Sequence, residues 1–386
     1  MKRYLTLMVI ITLVLGLNLA GCTNVQPNAP QPPAPRPELG KTGQLPEAEA
    51  GREDVLGAEK RVVLGFYTDP EGPVPGSKDS TLKHINALDE VAFFWYTFDG
   101  TGKVKRSGKV DLSVKDAVQK NNAKAYALVH NMTGRQFDPE VAHKVLANAG
   151  VRAAFVRNLV NLTTTENWDG IAIDIEKTPP ADRNNFSAFL AELAKALKAK
   201  NKILNVSIPA KTHDYPADLW SGAYDYTAIG KAADQVILMT YDEHGLGTTQ
   251  GPIASHDWVD RVISFATGKI PREKMVMGLP VYAFDWGSNK PTLPDYLSYA
   301  QALERAKTHG VSPMYDEGEQ VPHFTYTTSG VRHEVFLENA KSLGVKLDYA
   351  KKYKMHGVAI WRLGMEDPSL WDQVLRTYGT NKNKTR

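Results

Sequence analysis

Two acids separated by a single residue close the run Asp-Gly-Ile-Ala-Ile-Asp-Ile-Glu at positions 169–176. Isoleucines at 171, 173 and 175 alternate with Ala172, Asp174 and Glu176, the period of two that marks a β-strand. The isoleucines then share one apolar face, and Asp174 and Glu176 share the other. At about 3.3 Å per residue their Cα atoms lie roughly 6–7 Å apart, close enough for one carboxyl to shift the pKa of its neighbour. Carboxyls so placed can divide acid–base work, one holding a proton while the other stays charged. Taken alone, the strand also fits a structural ion pair or a strand-end cap.

The elements that must position these acids are legible around them. Short apolar runs at 62–67, 91–96, 123–129, 170–175, 203–208, 235–239, 275–279 and 357–361 read as strands. Amphipathic helical patterns at 139–146, 151–160, 181–198, 257–267 and 347–353 fall between them. Eight β units alternating with helices predict an α/β fold, a parallel (β/α)8 barrel. A folded part of about 320 residues exceeds the usual ~250 of such barrels. The surplus, at about 283–345, predicts a small α+β insertion between strands seven and eight, with a helix at 298–308 and strands at 324–327 and 334–337. Functional groups of such barrels sit at the C-terminal ends of the strands. Glu176 would end strand four, and Tyr241, Asp242 and Glu243 would end strand six. Tyr282, Asp285 and Trp286 would follow strand seven, and Trp361 and Arg362 would end strand eight. The run FFWYTF at 93–98 reads as core strand with one aromatic reaching the cleft.

The 386 residues carry a formal net charge of +3 and show no basic stripe interleaved with aromatics, which argues against a nucleic-acid partner. Lys2 and Arg3 precede an apolar run to Ala20, the pattern of an export signal. Leu19-Ala20-Gly21-Cys22 resembles a bacterial lipobox, in which the cysteine is lipidated and becomes the mature N-terminus. Residues 1–22 are therefore expected to be a lipoprotein signal peptide. Cys22 is the only cysteine, so intrachain disulfides, cysteine-based zinc sites and thiol catalysis are excluded. The stretch 23–58, rich in proline, alanine and glutamate, reads as a flexible tether to a catalytic domain at 59–378, and the last residues as a polar tail. The expected location is outside the cell, anchored to the bacterial membrane by lipid and facing the wall or periplasm. A monomer is expected.

Asp169 with Asp174-Ile-Glu176 resembles the DxxDxDxE motif of glycoside hydrolase family 18, the chitinase-like family. Met239-Thr-Tyr241-Asp242 is similar to the family's strand-six motif, Met277-Gly-Leu-Pro-Val-Tyr282 to its strand-seven motif and Trp361 to its strand-eight tryptophan. The segments MTYDEH (239–244), YAFDW (282–286) and AIWRLGMEDP (359–368) resemble a branch of spore-cortex and cell-wall N-acetylglucosaminidases. The resemblance spans about 60–375. It implies a retaining, substrate-assisted reaction in which the acetamide of the sugar attacks its own anomeric carbon. Glu176 would be the general acid and then the base. Asp174 would orient the acetamide and stabilise the oxazolinium ion, and Tyr241 would donate to the acetamide carbonyl. Trp361 would form the floor of the sugar site, with Asp242, Tyr282, Asp285 and Arg362 as further substrate-binding groups. Asp169 is expected to brace the strand.

The implied substrate is a glycan containing N-acetylglucosamine, and the implied chemistry needs neither metal nor organic cofactor. His213, His244 and His256 show no helical metal-ligand spacing. Ala172 departs from the chitinase pattern, which has an aspartate there, and Asp174 is expected to turn permanently toward Glu176 or the substrate. The expected activity is cleavage of β-1,4 bonds after N-acetylglucosamine in peptidoglycan. A chitinase or chito-oligosaccharide hydrolase is the alternative enzyme, and a catalytically silent glycan-binding lipoprotein is the alternative outside enzymes.

Overall fold

The computed structural model describes residues 61–108 and 110–379. Cys22, the leader, the 23–58 stretch and the polar tail from 380 lie outside the described residues. Eight strands form the barrel: β1 (Val62–Tyr67), β2 (Glu90–Phe98), β3 (Lys124–His130), β4 (Gly170–Asp174), β5 (Ile203–Pro209), β6 (Gln235–Met239), β7 (Met275–Pro280) and β8 (Gly357–Trp361). Each pairs in parallel with its sequence neighbours, and β8 pairs with β1, so the sheet closes and leaves no edge. The expected (β/α)8 barrel is the observed fold.

Alternation along each strand sorts the side chains into two layers. Ile171, Ile173 and Ile175 pack outward in the large core beneath the helices with Val206, Ile208 and Leu238. Inward positions form a second cluster that includes Leu64, Phe66, Ala92, Leu128, Ala172 and Ala359. The inner side chains are small on several strands because an eight-stranded barrel is only wide enough for side chains to fill it.

Helices occupy every crossover, and one follows β8; the sequence pattern did not mark three of the crossover helices, Lys78–Lys83, Leu112–Lys120 and Tyr226–Ala232, or the final one, Leu370–Tyr378. Two of these have six or seven residues, too short for an apolar period to stand out. The helices Pro139–Ala147 and Ala149–Thr165 start where the side chains of Asp138 and Asn148 cap exposed N–H groups.

The insertion between β7 and β8 is a five-stranded antiparallel sheet with strands Asp295–Ser298, Tyr282–Gly287, Val331–Leu337, Val321–Thr328 and Met314–Asp316 in spatial order. Helix Tyr299–Thr308, opened by a capping box between Ser298 and Gln301, packs on it over a core that includes Ala283, Leu297, Ala302, Phe324 and Val335. Its first strand begins one residue after β7 ends. The sheet stops at Leu337, and residues 340–345 already belong to the barrel helix that leads into β8, Ala340–Lys352.

Glycine permits the closest strand contacts of the barrel. A Cβ at Gly170 would lie 2.2 Å from the carbonyl oxygen of Ile203, and one at Gly357 would lie 2.0 Å from that of Val62. These residues open β4 and β8, the strands that end in the acids and in Trp361. Replacing Gly357 by alanine is expected to lower stability by about 1–3 kcal/mol through overpacking, read as a lower urea midpoint with unchanged slope.

Candidate active site

Asp174 is the last residue of β4, and Glu176 lies two residues beyond it at the mouth of the barrel. Glu176 is held by its backbone. Asn131, fully buried just after β3, accepts from the Glu176 N–H through Oδ1 at 2.9 Å and donates from Nδ2 to the Glu176 carbonyl at 2.8 Å. The hydroxyl of Tyr224 donates to the carbonyl of Ile175 at 2.8 Å. Lys177 then takes a left-handed φ of 52°, turning the chain sharply away. The Glu176 peptide is thus fixed from two neighbouring strands while its carboxyl stays free for a substrate.

The aromatic groups come from the far side of the mouth. Trp361 ends β8 and Tyr241 follows β6; their rings stack with centroids 6.5 Å apart and planes 20° apart. Phe66 and Phe94 meet Trp361 edge-on at 5.2 and 5.9 Å. Phe94 is therefore the member of the FFWYTF run that reaches the cleft. A Cβ at Gly278 would lie 2.7 Å from the Tyr241 ring, so glycine there lets the ring lie against β7. The peptide between Trp361 and Arg362 is cis. Asp242 has a left-handed φ of 59°, and its carboxylate accepts the Tyr282 hydroxyl proton.

Burial controls the electrostatics. Asp174 is only 4 % exposed, and desolvation raises its pKa above the ordinary carboxylate value. Glu176 is pushed well above its ordinary value, first by desolvation and then by the charges of Asp174 and Asp242, with Lys177 acting in the opposite sense. Burial takes Asp242 up to about 6 despite the hydrogen bond from Tyr282. Tyr241 is raised well above 10 by burial first and then by Asp174, Glu176 and Asp242, so it remains a proton donor at neutral pH. The pair at 174 and 176 titrates as a unit, and the stronger field on Glu176 puts the retained proton there. The site therefore presents an acid, an anion, a phenolic donor and an aromatic wall. That set can protonate a leaving oxygen and stabilise a positive charge that develops beside it.

Two expected sugar-binding groups are committed elsewhere. Asp285 lies on the first strand of the insertion, 2 % exposed. Its carboxylate accepts from Tyr326 at 2.6 Å, from His333 Nδ1 at 2.7 Å and from Arg305, which also reaches Asp295 at 2.8 Å. This network ties the sheet to the helix of the insertion. Arg362 is 4 % exposed and donates to Thr68 and to the carbonyl of Pro75 at 2.8 Å, bracing the loop after β1. In each case the branch-like motif marks packing at the mouth, because a buried charge takes the nearest complementary partners. Asp169 accepts from the Ala125 N–H at 2.8 Å and from Gln119 at 2.9 Å, a brace between β3 and β4. Asn131 and Tyr224 were missed by the sequence reading. A buried asparagine after a strand looks like any loop asparagine until its partner is known.

The sequence model of glycosyl hydrolases family 18 matches residues 65–366. The chain belongs to this family. It is 30% identical over 327 residues to the uncharacterized glycosylase YvbX of Bacillus subtilis, covering 81% of this chain and 94% of that protein. The fold matches a chitinase from Chromobacterium violaceum with a TM-score of 0.76 and 30% identity over 82% of this chain and 98% of the other. The spore cortex-lytic enzyme SleL of Bacillus megaterium matches with a TM-score of 0.74 and 26% identity over 82% of this chain and 74% of the other. The protein is thus a family 18 glycosidase, and the family implies a glycan containing N-acetylglucosamine as its substrate.

Replacing Asp285 by alanine separates the two roles considered for it. It is expected to lower unfolding free energy by about 2–3 kcal/mol, below the value for a wholly buried pair because Arg305 stays partly exposed. The measurement is denaturant unfolding with KM for a short glycoside read in parallel, and KM should change by less than about threefold, under 0.7 kcal/mol of ground-state binding.

Proposed function

We propose that this protein hydrolyses β-1,4 bonds after N-acetylglucosamine in peptidoglycan by substrate-assisted catalysis with retention. The observation that carries the reading is the pairing of Glu176 with Asp174 at the end of β4, opposite Tyr241 and Trp361. Glu176 gives its proton to the leaving oxygen. The acetamide oxygen of the sugar attacks the anomeric carbon, and that carbon's bond to the leaving oxygen breaks. Asp174, ionised, accepts from the acetamide N–H and stabilises the cyclic oxazolinium ion. Tyr241 holds the acetamide carbonyl by its hydroxyl, and Trp361 carries the sugar ring. Glu176 then takes a proton from the attacking water, which opens the ring with retained configuration. Asp242 and Tyr282 hold each other beside Tyr241 and line the same sugar site.

Peptidoglycan as substrate is supported by the likeness to SleL and by the segments at 239–244, 282–286 and 359–368 that resemble the cell-wall branch. The match to the Chromobacterium violaceum chitinase favours chitin fragments as the second reading. The export-signal pattern before Cys22 supports a protein tethered by lipid to the bacterial membrane and facing the wall.

Digestion of defined muropeptides and of chito-oligosaccharides, followed by mass spectrometry of the products, decides between the substrates. Fragments with new N-acetylglucosamine reducing ends from muropeptides, formed faster than products from chito-oligosaccharides, are the expected result. Glu176→Gln is expected to lower kcat about 10²–10⁴-fold, and equal rates for variant and parent would sink the mechanism. The pH profile of kcat/KM should be a bell. Activity falls on the acid side as Asp174 gains a proton and on the alkaline side as Glu176 loses one. Because both pKa values are raised, the acid limb is expected well above about 4, the ordinary carboxylate value. Cys22→Ser should move the expressed protein from the membrane fraction to the soluble fraction, and an unchanged distribution would reject the lipid tether.

A further inference from the structure

Below the acid pair, the inside of the barrel holds polar atoms that close no well-formed hydrogen bond. Asn205, in the middle of β5, is fully buried; the Tyr126 hydroxyl lies near it but is donated to Glu90, and neither Asn205 Oδ1 nor Nδ2 closes a well-formed hydrogen bond to protein. The Oδ1 atom of Asp174 is buried and equally unpartnered. Asn205 is in register with Ala172, two residues below Asp174 on the adjacent strand, and both positions face the barrel interior. Strand spacing and rise put the Cα atoms of Asn205 and Asp174 about 8 Å apart. Beneath Asp174 on the same face of β4 stand only a methyl group, at Ala172, and a glycine, at 170. Ser207, next on the inner face of β5, is 4 % exposed and adds a polar neighbour.

Each such unpaired group costs about 1–3 kcal/mol, and buried polar groups with room beside them recurrently seat ordered water that makes about three hydrogen bonds. We propose that a water held by the Asn205 amide donates a hydrogen bond to the free oxygen of Asp174, which makes Asn205 a positioning residue for the reaction. The amide supplies one donor and one acceptor, so it can orient the water without adding a charge. A carboxylate at 172 would place a like charge beneath Asp174 instead. The role assigned to Asp174 rests on the mechanism proposed above, whereas the water site stands on the buried atoms alone.

The other titratable groups around Asp174 cannot take this part. Glu176 and Asp242 carry like charge or share the proton, while Tyr241 lies across the mouth. The Tyr224 hydroxyl is donated to Ile175. His130, level with Asp174 on β3, is stacked on Phe94 at 4.1 Å, and burial lowers its pKa to about 3. Its Nδ1 accepts from the Met132 N–H at 3.2 Å, which leaves the Nε2 proton for Ser107, 3.3 Å away.

Two measurements test the assignment. A high-resolution crystal structure of the protein should show an ordered water within hydrogen-bonding distance of both Asn205 and Asp174. An Asn205 amide bonded directly to protein, with no water there, would overturn the proposal. In kinetics, Asn205→Leu removes the polar group at nearly constant volume. A donor to the ionised Asp174 favours its charged form, so its loss should move the acid limb of kcat/KM up by about one unit, a roughly tenfold loss below the limb. Asn205→Ser, which keeps a hydroxyl and room for water, should restore the limb. A folded Asn205→Leu variant with an unmoved limb counts against the proposal. Should Asn205→Leu fail to fold, the crystallographic arm alone decides. Absence of glycan cleavage by the unsubstituted protein would remove the glycosidase mechanism and leave the water to be judged by its density.

Discussion

Three carboxyl groups share one dry barrel mouth, and the number of protons they hold governs the site. In water Asp174, Glu176 and Asp242 would each ionise near pH 4. Here desolvation raises all three, and the charges of Asp174 and Asp242 raise Glu176 further. Like charges so close cannot all be present at once, so a proton is retained well into the neutral range. The most strongly raised group keeps it, and that group is Glu176, the acid of the proposed mechanism. A cation formed between Asp174 and Tyr241 then meets an environment already arranged for positive charge. In the proposed mechanism, the proton on Glu176 and the anion at Asp174 are thus two consequences of the same burial and crowding.

Crowding of this kind works only if the groups cannot move apart. The structure fixes them through the backbone and leaves the reactive atoms free. Asn131 closes two hydrogen bonds on the peptide groups around Glu176, and Tyr224 adds a third at Ile175. Both come from segments that follow neighbouring strands, so barrel closure itself sets the position of the acid. Tyr241 is placed by the close approach of its ring to Gly278, and Trp361 by the edges of Phe66 and Phe94. The strong apolar packing of the outer layer, with Ile171, Ile173 and Ile175 beneath the helices, makes β4 a rigid base for the two acids.

The barrel was legible because its strands are short apolar runs and its longer helices repeat an apolar face. The four helices that escaped are short, from six to nine residues. The acid pair was legible because carboxyls on the inner face of an otherwise apolar strand are costly without a use. Asp285 and Arg362 stood out in the sequence for the same reason as Glu176. A charge near a strand end signals either substrate or a partner, and only tertiary contacts show that Asp285 meets Arg305, His333 and Tyr326 from residues 20 or more positions away. Asn131 and Asn205 left no trace in the pattern, since one asparagine in a loop and one in a strand carry no period. Their significance lies in which atoms they meet and which they fail to meet.

The inner column of the barrel extends this logic downward from the site. At its lower end Glu90 accepts from Tyr126 at 2.8 Å and from Gln235 at 2.9 Å, and burial raises its pKa, which favours the neutral form. Asn205 and Ala172 occupy the layer between Glu90 and Asp174 without bringing any charge. The like charges of the mouth, Asp174 and Asp242, therefore bear on Glu176, and no further anion is added from beneath. In a barrel too narrow to hold a second ionised layer, the small and neutral residues under the site are as much a condition of its chemistry as the acids above them.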